Sequence, residues 1–257
     1  MSELHKFIFD GLPVRGMLVR LSDSWQELLR RREQAGTAFA PPVRTLLGEL
    51  AAAATLMQAN IKFDGALVLQ VHGDGPVKLA VAEVKSDLSF RVTATVLGDV
   101  RPDASLEAMV NVHGKGRCAI TLDPQDKLPG QQPYQGIVPL YGDRREPLQK
   151  VSEVLEHYML QSEQLDTKLI LAANDEVAAG LLIQRLPDPS QGRDDKDDPY
   201  RRIALLAATL TRDELLTLGA DTVLHRLFWE EPLRRFEPLA GDSGPHFACS
   251  CSRERVG

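Results

Sequence analysis

The spacing of apolar residues changes period several times along the chain. Phe7, Phe9, Val14, Met17, Val19 and Leu21 alternate with polar or small residues around Asp10-Gly11-Leu12-Pro13, so residues 7–21 read as extended. From Ser24 to Gln34 the spacing shifts to three and four, through Trp25, Leu28 and Leu29, and Gly36 follows the end of that helix. Pro41-Pro42 then opens the clearest helix of the first half, which runs to Asn60. Leu46, Leu47, Leu50, Ala51, Ala54 and Met57 form one broad apolar face. The alanines at 51–54 favour helix and permit close packing, Gly48 weakens the helix slightly, and Asp64-Gly65 ends the segment.

Strand patterns follow. Ala66–Val71 meets the turn Gly73-Asp74-Gly75-Pro76, and Val77–Val84 returns. Ser89–Leu97 and Ala108–His113 also read as strands, and Gly114-Lys115-Gly116 turns the second of them into Cys118–Leu122. Pro147 stands at an expected first helical position, followed by Leu148, Val151, Val154, Leu155, Tyr158 and Met159 at helical spacing. Thr167–Ala173, a turn at Asn174-Asp175 and Val177–Arg185 form a last hairpin. The pattern predicts an α+β class: a mixed or antiparallel sheet core domain with packed helices over residues 1–186.

Residues 187–199 break the pattern, because they contain prolines, aspartates and no core-forming residue. Short helices follow. One spans Arg201–Leu210. The next opens on Thr211-Arg212-Asp213-Glu214, a capping box in which Thr211 and Glu214 each satisfy an unpaired amide. Gly219 ends it, and Asp221 is expected to cap another through Val223, Leu224, Leu227, Phe228 and Trp229. Residues 187–240 thus read as an acidic linker with a helical region, and residues 241–257 as a separate terminal piece.

Composition sharpens this picture in three ways. A net charge of -6 argues against a nucleic-acid partner or an anionic membrane surface. Three cysteines in 257 residues do not make a disulfide framework, and the N-terminus lacks a secretory pattern, so a cytoplasmic location is expected. No apolar run approaches the roughly 20 residues of a membrane span.

The chemistry concentrates at Cys249-Ser250-Cys251. In an extended segment both sulfurs face the same side and could ligate one metal ion or share one disulfide. Arg253 and Arg255 favour thiolate. The plainer reading is two unpaired surface cysteines. His246 reads as a loop histidine more readily than as a third ligand. Cys118, in a strand-like run, reads as a small buried hydrophobe. Gly114-Lys115-Gly116-Arg117 lacks the spacing of a phosphate loop and leads into a strand. No nucleophile–base pair stands out, so no turnover chemistry is expected.

Several blocks occur in an informative order. They are Lys62-Phe63-Asp64-Gly65, Gly73-Asp74-Gly75-Pro76-Val77-Lys78, Gly114-Lys115-Gly116, Tyr134-Gln135-Gly136-Ile137-Val138 and Tyr158-Met159-Leu160-Gln161-Ser162-Glu163-Gln164-Leu165. Ala178-Ala179-Gly180-Leu181-Leu182-Ile183-Gln184, His225-Arg226-Leu227-Phe228 and Cys249-Ser250-Cys251-Ser252-Arg253-Glu254-Arg255 complete the set. Over nearly the whole chain this set resembles the redox-regulated 33-kilodalton heat shock chaperone family (Hsp33). The resemblance implies an ATP-independent holdase that binds unfolding client proteins under oxidative stress and works as a dimer. It also implies zinc held by a C-x-C and a later C-x-x-C, released when the thiols oxidise to disulfides. Cys249 and Cys251 match the C-x-C as redox and metal residues. The chain stops at Gly257 without the C-x-x-C. The expectation is therefore a shortened form, with residues 241–257 a remnant of the zinc module, zinc absent or incompletely bound, and no redox gating. The polar linker would permit domain exchange in a homodimer. Physical candidates for the client surface are the apolar residues of the helical region: Leu205, Leu206, Leu215, Leu216, Leu224, Leu227, Phe228 and Trp229. The alternative from another class is a thiol-disulfide oxidoreductase using Cys249 and Cys251.

Overall fold

The computed structural model describes residues 1–126, 132–187 and 198–248. In chain order the elements are β1 (Glu3–Phe9), β2 (Val14–Leu21), α1 (Asp23–Gln34), α2 (Pro41–Asn60), β3 (Gly65–His72), β4 (Val77–Lys85), β5 (Ser89–Val96), α3 (Leu106–Val110), β6 (Arg117–Pro124) and β7 (Tyr134–Pro139). There follow α4 (Val151–Glu163), β8 (Thr167–Ala173), β9 (Ala178–Arg185), α5 (Pro199–Ala208), α6 (Arg212–Thr217), α7 (Ala220–Phe228), β10 (Leu233–Arg235), β11 (Leu239–Ala240) and β12 (His246–Phe247). They build the α+β class that the pattern predicts.

Two sheets enclose α2. The first runs β10-β1-β2-β9-β8, with β11 also on β1; the second runs β12-β5-β4-β3-β6-β7. All pairings are antiparallel except β12 on β5. The broad face predicted for α2 proves too narrow. The helix is buried on nearly every side from Pro42 to Gln58, because it packs against strands of both sheets. Its alanines let the sheets approach. Gly48 is a contact point rather than a mere weakness: a Cβ there would lie 2.5 Å from Cβ of Ala173.

The first sheet is apolar on both faces, and strand alternation sorts its residues between two cores. Leu4, Met17, Val19, Leu21, Leu169 and Leu182 point toward α2. Phe7, Phe9, Val14, Leu18, Leu181 and Ile183 point the other way, toward α5, α6 and α7. Accordingly β9 is buried at seven consecutive positions, Ala178–Gln184. Gly16 leaves room for Phe7, whose ring would sit 2.2 Å from a Cβ at that position.

Three local expectations are corrected. Residues 108–113 are not a strand: Leu106–Val110 form a short helix whose N-cap hydroxyl, Ser105, accepts from the Ala108 amide. So few apolar residues carry no usable period. Gly114-Lys115-Gly116 is therefore not a hairpin turn between strands. The Asp74 carboxylate accepts from the His113 and Lys115 amides at 3.1 and 2.8 Å and so fixes that loop. Pro147 does not begin α4. It bridges back to Tyr141, and the helix starts after Lys150, where Glu153 accepts from the Gln149 and Lys150 amides.

Candidate functional site

The feature with functional promise is the layer formed by α5, α6 and α7 on the outer face of the first sheet. Each helix is short, with 10, 6 and 9 residues. Helices of this length are marginal alone in water, so docking supplies their stability. The contact is apolar and aromatic. Phe228 meets Phe9 edge-on at 5.1 Å between ring centres and Phe7 at 6.1 Å, and Phe7 meets Phe9 at 5.8 Å. Each such pair contributes about 0.5–1.5 kcal/mol beyond its area.

Polar clasps hold the layer at its margins. Where the chain re-enters at Asp198, Arg185 donates to both carboxylate oxygens and also to Asp166 at 2.7 Å, with the Tyr200 ring 4.8 Å from its guanidinium. The Arg185 hydrogen bonds hold the Asp198 carboxyl below the usual carboxylate range. Arg20 of β2 donates to the carbonyls of Leu215 and Leu216, at 2.5 and 3.1 Å, at the end of α6 where the helix leaves acceptors unpaired. Arg212 donates to the Ala173 carbonyl and faces Glu49 of α2 at 3.7 Å. Burial pushes the Glu49 carboxyl up to about 7 against the opposing pull of Arg212 and Lys150. The predicted capping box is present: Thr211 and Glu214 exchange backbone bonds at 3.0 and 3.3 Å. Asp221 does not cap α7. Gly219 holds that position, and Asp221 in the first turn pairs with Arg235 at 2.6 Å.

Beyond α7 the chain becomes an extended strap. β10 and β11 pair with β1, and β12 then pairs with Ser89 and Phe90 of the other sheet. Phe247 packs edge-on against Phe90, with the Arg31 guanidinium 5.1 Å from its ring centre.

The eight apolar candidates fall into two sets. Leu215, Leu224, Leu227 and Phe228 are buried beneath the layer, with Leu206 and Leu216 partly so. Leu205 and Trp229 stand 65% and 67% exposed on its outside. The sheet side of the contact was missed, although the unbroken apolar run Ala178–Ile183 signals a strand covered on both faces.

Cys249 and Cys251 lie outside the described residues, as does most of the 187–199 linker. Cys118 is 1% exposed, and burial pushes its thiol up to about 12. The His246 ring nitrogen lies 3.1 Å from the Gly244 carbonyl. Among the described residues no group of three or more His, Cys, Asp or Glu could hold a metal ion. The described residues therefore do not fit a zinc site. Nor, among them, is any helix long and apolar enough to cross a membrane.

The model for the Hsp33 protein family matches residues 2–257. The 33 kDa chaperonin of Chromobacterium violaceum is 47% identical over 255 residues, covering 99% of this chain and 79% of that protein. The protein of the same name from Methylobacillus flagellatus is 44% identical over 257 residues, covering all of this chain and 80% of the relative. The crystal structure of the 33 kDa chaperonin (heat shock protein 33 homolog) from Thermotoga maritima superposes with a TM-score of 0.72 at 19% identity, over 99% of this chain and 82% of that one. Its sequence is too distant to speak for more than the fold, but the fold is shared. Family model and close relatives together place this chain in the Hsp33 family, whose relatives are named as chaperonins.

Proposed function

We propose that the protein is an ATP-independent holdase that captures unfolding proteins under oxidative stress and keeps them from aggregating. The observation that carries this reading is the layer of three short helices over an apolar sheet face. A layer stabilised by docking opens at a lower free energy than the sheets beneath it. Its release would uncover Phe7, Phe9, Leu18, Leu181 and Ile183 together with the undersides of α6 and α7, a surface suited to exposed apolar segments of a client. No nucleotide is needed for such a cycle.

Cys249 and Cys251 are the redox pair in this reading, three and five residues past the start of β12. A structural zinc site takes four ligands. These two thiols would supply two of them, and Cys118, buried in its strand, is not placed to be a third. Working as a homodimer, with exchange of the helical layer between copies, is compatible with the polar linker.

Light scattering of a thermally unfolding client, with and without peroxide, tests the proposal. Suppression of aggregation that rises with peroxide supports a redox-gated holdase. Equal suppression in both conditions keeps the holdase and removes the gate. Absence of suppression in both overturns the reading, and catalysed reduction of a disulfide substrate by the same chain would favour an oxidoreductase instead.

A further inference from the structure

Among the described residues, the outer edge of β1 is covered by the protein's own strap alone. Leu233, Arg234 and Arg235 pair with Phe9, Ile8 and Phe7, and Leu239 and Ala240 pair with Leu4 and Glu3. The Asp10 amide also donates to the Pro232 carbonyl at 2.8 Å, and the Phe236 amide donates to the Lys6 carbonyl at 2.9 Å. We infer that this edge is a docking groove for an extended client segment, held shut in the closed molecule by residues 232–240 as a built-in pseudo-client. The inference rests on the holdase reading and assigns it a surface.

Three observations support the assignment. First, main-chain pairing along a strand edge supplies affinity with little dependence on side-chain identity, which suits a protein that must accept many sequences. Second, the groove has a definite chemistry. Leu233 packs into the core under the helices and Leu239 into the core around α2, so an apolar socket lies at each end. Between them Asp10 takes Arg234 at 2.9 Å and the His5 ring of β1 lies 2.9 Å from the Arg235 guanidinium, while Asp221, which pairs with Arg235 in the closed molecule, belongs to α7 and leaves with it. The preferred occupant is therefore an extended segment with a leucine-like residue, two basic residues, and a second leucine-like residue six positions after the first. Third, the occupant is lightly held. The strap pairs with β1 at five register positions in two short pieces, and the Arg234–Asp10 pair is exposed and contributes little. Because the strap continues directly from α7, departure of the helical layer would free the groove as well. The bared β1 would then present open amides and carbonyls next to the uncovered apolar face.

The probe is a fluorescent peptide of residues 232–240, titrated against the full chain and against the double variant Arg234→Ser, Leu239→Ser, which weakens the strap by removing the Arg234–Asp10 pair and the Leu239 contact with the core around α2. Anisotropy should show one peptide per chain, bound at least tenfold tighter by the variant. Methylation of the peptide's Phe236 amide should weaken binding about tenfold, and peptide occupancy should reduce client protection in step. No binding by the folded variant, or equal binding of the methylated peptide, overturns the groove. If the variant does not fold, hydrogen exchange on a wild-type–client complex decides. Glu3–Phe9 amides that stay protected while those of β10 and β11 are lost support the groove; loss of both overturns it. A chain that protects clients yet ignores the peptide refutes the groove alone. A chain that binds the peptide yet protects nothing refutes the holdase reading and leaves the groove.

Discussion

The protein has two apolar cores that share one sheet, and they are built on opposite principles. Around α2, one 20-residue helix is enclosed by two sheets and anchored through long ladders such as β3–β4, β3–β6 and β2–β9. Under α5–α7, three short helices lie on a single sheet face and are fastened at the edge by a few arginines. Both interiors hold side chains that are almost wholly buried. They differ in what must be undone to expose them. Opening the first requires separating two sheets from a helix. Opening the second requires lifting one layer whose parts have little stability of their own.

The largest expected effect tests whether the cores are separable. Leu50→Ala in α2 should cost about 2–5 kcal/mol and move the whole urea transition. Phe228→Ala should cost a comparable ~3–5 kcal/mol, but the loss should appear as faster hydrogen exchange confined to residues 199–240, with β3–β6 unaffected. If both variants shift a single transition equally, the two cores are one cooperative unit and the contrast collapses.

The clasps come next. Arg20→Met leaves the Leu215 and Leu216 carbonyls without their donor and should weaken docking by about 1–3 kcal/mol, seen first in α6 exchange. Asp198→Asn should cost on the order of 2 kcal/mol and remove a pH dependence. The Asp198 pKa is depressed in the folded state, so its contribution is complete above the unfolded carboxyl value. It is lost as pH falls through the lower folded value. Wild-type exchange of α5 should therefore accelerate as the medium becomes acidic, and the Asn variant should show no such acceleration. Glu49 has the opposite sign. Its raised value makes the folded state gain stability as pH falls from about 7 toward the unfolded value, so Glu49→Gln should flatten that higher window.

The smallest stability effect sharpens the comparison from outside. Trp229→Ser and Leu205→Ser, both on exposed positions, should change unfolding by no more than about 0.5 kcal/mol. If client protection falls while stability holds, the outer side of the layer touches clients. If it does not, the underside and the sheet carry the contact.

Much of the fold was legible because its signals are local. Two prolines before a long apolar run announced α2, and Thr211 and Glu214 announced α6. Alternation revealed most of the strands. What escaped was either too short or too distant. Five residues of α3 carry no period, and β7 offers little alternation around Gly136. The clasps join residues 13 to 196 positions apart, and no spacing rule reaches that far. At the candidate site the apolar residues of α5–α7 could be listed by type, but burial divided them: Phe228 and Trp229 are neighbours with opposite exposure. The thiols stood out as chemistry, while the strap that would link them to the layer consists of strands two and three residues long.

The strap also fixes an order of events during synthesis. β1 is among the first segments made, yet its outer edge is completed by residues 233–240 and its apolar face by residues 199–228. At about 5–20 residues per second, several seconds separate the end of β9 from the arrival of β11. During that interval the nascent chain carries a bare strand edge and a bare patch of phenylalanine and leucine. The chain must therefore pass once through the exposed condition that its folded form avoids, and residues 199–240 bring that passage to an end.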